Sequence, residues 1–253
     1  MRALSASELL SAWERGLSRT PAERALGLLG AACADESPEA LAALSVGERD
    51  ARLLTLREWT FGRQLTSLAN CPGCGEQLEI SNSTADLRAE PAGGREASAA
   101  ASGPLTLQTG EYEVSFRLPN SLDLAALASG AQSASVADAA ALLLESCLVE
   151  ARREGEAVSA AELPPEIAEA IAGRMAEADP QADMELALNC PACGEGWLAP
   201  FDIESFFWGE IGAWARRVLV EVHVLASSYG WRESDILNMS AWRRQFYIDL
   251  IGA

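Results

Sequence analysis

Apolar residues recur at helical spacing along most of this 253-residue chain and alternate with polar residues only in short stretches. The spacing predicts helices on residues 9–17 and 21–29. A capping box at Ser45 and Glu48 opens a longer predicted helix, which is expected to continue through Leu68. Residues 1–70 are therefore predicted to form an N-terminal helical region.

Further helices follow from the same spacing, and two aromatic residues of the longer helix, Trp59 and Phe61, are expected in the core. Gly230 is predicted to end a long helix near the C-terminus. The additional predicted helices cover residues 123–128, 136–151, Pro165 to the residue before Asp179, and Phe207 to Tyr229, with two short helices near Ser234 and Trp242.

Alternating stretches predict strands in one hairpin and beside two cysteine turns. The hairpin joins residues 105–107 to 112–118 through Thr109-Gly110. Strands next to the turns are predicted at 77–80, 184–188 and 197–201. Residues 85–103 are rich in Ala, Gly and Ser and are predicted to form a surface loop.

The two cysteine turns repeat one motif, Cys-Pro-x-Cys-Gly-Glu, with Cys71 and Cys74 in one copy and Cys190 and Cys193 in the other. The proline fixes φ after the first cysteine, and the glycine can take a positive φ after the second. Each turn can therefore curl around one ion. Four thiolates fill the tetrahedral shell of a structural zinc, so the sequence predicts one zinc ion with no open position for a catalytic water.

Two other interpretations of the cysteine pairs stay open. A thioredoxin-like redox motif also uses Cys-x-x-Cys, but it normally occurs once and lies at the start of a helix. Two disulfides would need an oxidising compartment, whereas the N-terminal residues lack the pattern of a signal peptide and favour the cytoplasm. Cys33 and Cys147 lie in Ala- and Leu-rich helical stretches and are expected to be small core residues.

A zinc ion held by both turns would close a loop of 115 residues between Cys74 and Cys190. The predicted fold is α+β and mostly helical. It contains a split four-cysteine zinc ribbon at 71–202 with a long helix and hairpin insertion at 75–189, and an aromatic C-terminal helical tail at 203–253. The entropic cost of loop closure grows slowly with length, so such an insertion is tolerable once zinc clamps its base.

The charge of the chain and the motifs that it lacks make several classes of function less probable on sequence grounds. The net charge is −18, and residues 71–200 carry 6 arginines against 21 acidic residues. Nucleic-acid binding depends on neutralising phosphates, so a zinc-ribbon nucleic-acid-binding or transcription-associated protein is only the alternative prediction. No transmembrane-length apolar run and no G-x-S-x-G, P-loop or H-E-x-x-H motif occurs, so membrane insertion, a small-molecule substrate and enzymatic activity are not expected.

The last 53 residues hold 10 of the 16 aromatic residues, enough for both a core and a docking surface. His223 lacks a spaced carboxylate or cysteine partner and is expected on the surface. The candidate partner-binding residues of this segment are Trp208, Trp214, Tyr229, Trp231, Trp242, Arg243, Arg244 and Tyr247.

Four features occur in a fixed order: the first cysteine turn through Glu79, F-R-L-P-x-S-x-D-L at 116–124, the second cysteine turn through Asp202, and the run from Glu221 to Tyr247. In this order they resemble the T-even-type phage baseplate hub assembly chaperone family. Members of that family also occur in gene clusters of phage-tail-like contractile injection systems. The resemblance covers roughly residues 45–253, and the first 44 residues resemble nothing known to us.

The resemblance implies a non-enzymatic assembly factor or baseplate component of a contractile tail, with structural zinc. It implies partners among baseplate, hub or tail proteins and assigns the four cysteines of the turns as the metal ligands. The expected location is the cytoplasm, with incorporation into the assembled particle left open.

Overall fold

The computed structural model describes residues 1–89, 103–130 and 135–251. The chain divides into two compact units, one made of residues 1–38 and 203–253 and the other of residues 39–202. We call them the terminal unit and the inserted unit. This division differs from the three predicted regions because the two N-terminal helices pack against the long helix that begins at Ile203, which no local sequence pattern indicates.

The chain is α+β and mostly helical, as predicted, and its sheets are small. The described helices are α1 (Ala6–Gly16), α2 (Pro21–Ala32), α3 (Pro38–Ala42), α4 (Val46–Phe61), α5 (Ser121–Gly130), α6 (Val136–Cys147), α7 (Pro165–Ala178), α8 (Ile203–Tyr229), α9 (Glu233–Leu237) and α10 (Ala241–Ile251). The described strands are β1 (Gln64–Asn70), β2 (Gln77–Ser83), β3 (Leu105–Thr109), β4 (Tyr112–Phe116), β5 (Leu148–Arg153), β6 (Glu156–Ala157), β7 (Glu185–Asn189) and β8 (Gly196–Pro200).

The terminal unit is a helical bundle built on α8. Val218, Val222 and Leu225 of α8 form its core with Leu10 of α1 and Ile236 of α9. Capping boxes begin both α1 and α2, where the side chains of the N-cap residues accept hydrogen bonds from backbone N–H groups. The predicted N-terminal helices are confirmed.

Gly230 adopts a φ of 70° directly after α8, which confirms the predicted end of that helix. The two short C-terminal helices predicted from the sequence are also present, as α9 and α10.

The inserted unit contains a four-stranded antiparallel sheet in the order β3-β4-β5-β6. Val114, Phe116 and Ala151 of this sheet pack with Ile167 and Ile171 of α7. The predicted hairpin is confirmed, with Gly110 at a φ of 59° in its turn. The prediction that Cys33 and Cys147 are core residues is confirmed, since both are buried.

Two further antiparallel hairpins, β1-β2 and β7-β8, form separate two-stranded sheets in the inserted unit. The first cysteine turn joins Asn70 to Gln77 and the second joins Asn189 to Gly196. The end of α7 is tied to the start of α4, because the Gly47 N–H donates a 2.9 Å hydrogen bond to the Asp179 carboxylate. The predicted strands beside the turns are confirmed.

The longer N-terminal helix ends earlier than predicted. It stops at Phe61, and Gly62 follows with a φ of 90°. Residues 64–70 then form β1, which pairs with β2 along its whole length. The prediction that Trp59 lies in the core is also wrong, because 47% of this residue is exposed.

The predicted helix at 136–151 is wrong in its last turn. It ends at Cys147, and the following residues form β5, because this segment pairs with β4 in the middle of the sheet. The β5-β6 turn has Glu154 at a φ of 51° and Gly155 at 89° and was not predicted. Of the predicted loop at 85–103, residues 90–102 lie outside the described part of the chain.

Candidate metal centre

The two cysteine turns have the same backbone geometry. The Cys71 N–H donates to the carbonyl of Glu76 at 2.9 Å, and the Cys190 N–H donates to the carbonyl of Glu195 at 2.8 Å. The glycine after the second cysteine has a φ of 78° in one turn and 79° in the other. A side chain at this conformation would be strained, which explains glycine at both positions.

The four cysteine sulfurs come together in one cluster. All four Sγ atoms lie within 4.8 Å of one another, and the Cys71–Cys193 and Cys74–Cys190 pairs are each 3.6 Å apart. A tetrahedral zinc ion with bonds of about 2.3 Å places its sulfur ligands roughly 3.8 Å apart. A disulfide requires about 2.05 Å, so neither of these two sulfur pairs is a disulfide. The donor set and its spacing therefore fit a tetrahedral metal ion.

Backbone hydrogen bonds favour the thiolates of Cys190 and Cys193, whereas the neighbouring sulfurs raise the pKa of Cys193. The Cys193 N–H donates to the sulfur of Cys190 and is the largest cause that lowers the pKa of Cys190 to about 7. The Glu195 N–H likewise favours the Cys193 thiolate, but the nearby sulfurs, with Cys74 first, raise the pKa of Cys193 to about 12. A divalent cation would offset the repulsion among four thiolates, so the cluster is suited to one.

The secondary structure around the turns does not favour the redox interpretation. Each cysteine turn connects two strands, whereas a thioredoxin-like pair lies at the start of a helix, whose dipole activates the first thiol. Cys71 and Cys190 are buried, while Cys74 and Cys193 are exposed at the tips of the turns. Four converging sulfurs at the meeting point of two hairpins could hold a metal ion.

The structure separates the candidate partner-binding residues into internal and external ones. Trp214, Trp231 and Tyr247 pack against the core of the terminal unit. Arg244 is buried, with its Nε 2.7 Å from the Glu221 carboxylate, and the Arg24 guanidinium covers the Trp208 ring. The exposed members of the set are Tyr229, Trp242 and Arg243.

Sequence reasoning did not include two residues of the exposed surface among the partner-binding candidates. Phe246 and Leu250 follow Trp242 at intervals of four residues on α10, and all three are exposed. The four-residue spacing was visible in the sequence, but it also fits a helix that buries these residues. Only the packing of α10 on α8 determines which face is outward. His223 is exposed, as predicted.

Comparison with known protein families identifies residues 8–208 as a match to the family described as T4 bacteriophage base plate protein. The chain belongs to this family. No curated protein and no solved structure matches it. The family indicates that this baseplate protein interacts with phage baseplate or tail proteins, and it does not favour the nucleic-acid alternative.

The extent of the match corrects the resemblance seen in the sequence. It begins at residue 8, so the helices α1 and α2 belong to the matched region, although residues 1–44 alone resembled nothing known to us. It ends at residue 208, so α9 and α10 of this baseplate protein lie outside it. Among its described helices, none is long and apolar enough to cross a membrane.

Proposed function

We propose that this baseplate protein is a non-enzymatic assembly factor or baseplate component of a contractile, phage-tail-like injection system. The observation that carries the proposal is the family match over residues 8–208. The order of the cysteine turns and the F-R-L-P-x-S-x-D-L segment supports the hub assembly chaperone group within that family. On this proposal the protein acts in the cytoplasm, where the particle is built.

The metal of the cysteine cluster is proposed to be one structural zinc ion. Cys71, Cys74, Cys190 and Cys193 would hold it, which fits the sulfur spacing and the preference of zinc for four thiolates. Bound zinc would supply a fixed tetrahedral centre that holds the β1-β2 and β7-β8 hairpins together. Because four cysteines complete its coordination, its role is support of the fold.

The role of the protein in assembly can be tested by deleting its gene in the cell that produces the particles. We expect the deletion to remove complete particles from electron micrographs of lysates, and the wild-type gene supplied from a plasmid to restore them. Normal particles in the deletion strain would contradict the proposed function. Proteomics of purified particles would then separate a permanent component, present at fixed stoichiometry, from a transient factor.

A further inference from the structure

Three apolar side chains form a continuous exposed ridge along α10. Trp242, Phe246 and Leu250 are 75%, 49% and 53% exposed. Because they are spaced by four residues, they lie above one another on one face of the helix. The rings of Trp242 and Phe246 stack with their centroids 5.6 Å apart. We call this row the α10 ridge.

The opposite face of α10 is firmly attached to the terminal unit. Arg244 is buried, pairs with Glu221 of α8, and donates a 2.7 Å hydrogen bond to the carbonyl of Met239. Tyr247 packs edge-on against Trp231 at 4.9 Å. These contacts fix the rotation of the helix about its axis. The α10 ridge therefore points outward because the packing holds it there.

Charged residues of opposite sign flank the α10 ridge. At 100° per residue, Arg243 lies about 60° to one side of the row and Asp249 about 60° to the other. Arg243 is exposed and stacks over the ring of Tyr247 at 5.7 Å. In the described part of the chain it makes no ion pair, whereas Asp249 already accepts a 2.8 Å hydrogen bond from Gln245. The free charge beside the ridge is thus a guanidinium.

We propose that the α10 ridge binds an amphipathic helix of another baseplate or tail protein, one that carries acidic residues along the side facing Arg243. Stacked aromatic residues next to an arginine are typical of the centres of protein interfaces. A helix with an apolar row would cover the ridge, and an acidic flank would pair with Arg243. This inference rests on the proposed function, because it takes the partner from the same particle.

Charge argues against a second copy of this chain as the occupant. If two α10 helices paired in antiparallel orientation about Phe246, Arg243 of both copies would lie on one flank and Asp249 of both copies on the other. Like charges on each flank oppose such pairing. In a parallel pair the carboxylate on the Arg243 flank would be that of Asp249, which is six residues along the helix and already accepts a hydrogen bond from Gln245. A different helix can place an acidic residue directly opposite Arg243, so charge complementarity favours a different protein.

The test uses the gene deletion strain complemented with full-length variants. Phe246→Asp places a charge in the centre of the ridge, and we expect at least about tenfold fewer complete particles, as for an interface hot spot. The matched control is Leu142→Asp on α6, where the leucine is 48% exposed, and it should leave the particle count unchanged. Normal assembly with Phe246→Asp would overturn the ridge inference while leaving the proposed function intact. If the deletion itself has no effect, the proposed function fails.

Reversing the charge of Arg243 tests which protein binds the α10 ridge. Arg243→Glu should reduce the particle count, and selection for restored assembly should yield acidic-to-basic substitutions in the gene of a baseplate or tail protein. Suppressors that map to this chain's own gene would instead indicate a second copy and overturn the proposal. A dimer of the purified wild-type protein that Phe246→Asp converts to a monomer in analytical ultracentrifugation would overturn it as well.

Discussion

Asp123 connects three segments of the inserted unit through one carboxylate. It is buried and accepts a bidentate pair of hydrogen bonds from the Arg117 guanidinium at 2.6 and 2.8 Å. It also accepts a hydrogen bond from the Asn120 N–H at 2.9 Å. The same guanidinium donates to the carbonyl of Ser146, so the interaction spans the start of α5 and the end of α6.

This arrangement makes stability depend on pH. The Arg117 guanidinium is the first cause that holds the pKa of Asp123 below its ordinary value. The folded state therefore binds fewer protons at this site than the unfolded state. The stabilisation is present above the unfolded pKa of about 4 and is lost as the pH falls through the lower folded pKa.

We expect Asp123→Asn to lower the free energy of unfolding by about 1 kcal/mol at pH 7, since it removes one charged partner from a pair whose arginine is partly exposed. Urea unfolding at pH 7 and pH 3 should show that the difference in the free energy of unfolding between wild type and variant is smaller at pH 3. Asp183→Asn, at an exposed site, is the control and should change neither value. An equal difference in the free energy of unfolding at both pH values would contradict the role assigned to Asp123.

At the scale of elements, close packing of a glycine against an aromatic ring fixes the end of α1. A Cβ added at Gly16 would overlap the ring of Trp208. Trp208 in turn is covered by the guanidinium of Arg24, whose Nε donates to the carbonyl of Gly16 at 3.0 Å. The end of α1 and the starts of α2 and α8 therefore share one tightly packed junction.

Replacement of glycine by alanine should have opposite effects on stability at two positions. Gly16→Ala should destabilise the protein by about 1–3 kcal/mol, because the aromatic ring must move. Gly30→Ala in α2 meets nothing within 4 Å and should stabilise it by about 0.5–1 kcal/mol, because alanine restricts the unfolded chain and favours a helix. Chemical denaturation measures both values, and shifts of the same sign would contradict the packing described.

Most elements could be predicted from the sequence, and the errors share a cause. The start of α4 was marked by Ser45 and Glu48, but its end was missed because the apolar residues beyond Gly62 also fitted a helical spacing. Pairing with β2 decides for a strand, and the same holds for Leu148 and β4. Local spacing does not reveal a partner strand that lies elsewhere in the chain.

The candidate sites were predictable to different degrees. The four cysteines could be grouped from sequence because the motif repeats. The surface on α10 could not be separated from the core, since Trp231 and Trp242 look equivalent until the burial of Arg244 fixes the helix orientation.

At the scale of the whole molecule, the cysteine cluster connects two parts of the inserted unit that are distant in the sequence. It brings the turn of β1-β2 next to the turn of β7-β8, and 115 residues of sequence separate Cys74 of the first turn from Cys190 of the second. The unfolded chain has no such preformed site, so the free energy of binding the proposed metal would contribute to the folding of this unit.

We expect the wild-type protein to contain about one zinc ion per chain by elemental analysis, as a single four-thiolate site requires. Cys190→Ala should lose it, while Cys33→Ala should retain it, although both cysteines are equally buried, at 2% and 3% exposure. Hydrogen exchange should accelerate within residues 39–202 of the zinc-free variant more than in α1 and α8. A wild-type protein without bound metal, or Cys190→Ala with a full zinc content, would contradict the assignment.

The composition of the terminal unit from residues 1–38 and 203–253 also sets an order of events during synthesis. At about 5–20 residues per second, α1 and α2 are made roughly 9–35 s before synthesis of α8 begins. During this interval Leu10 has no partner from α8, and the second cysteine pair, Cys190 and Cys193, is made only at its end. Because α10 follows α8 along the chain and packs on it through Arg244 and Glu221, a partner that binds the α10 ridge meets only chains in which α8 has already been made.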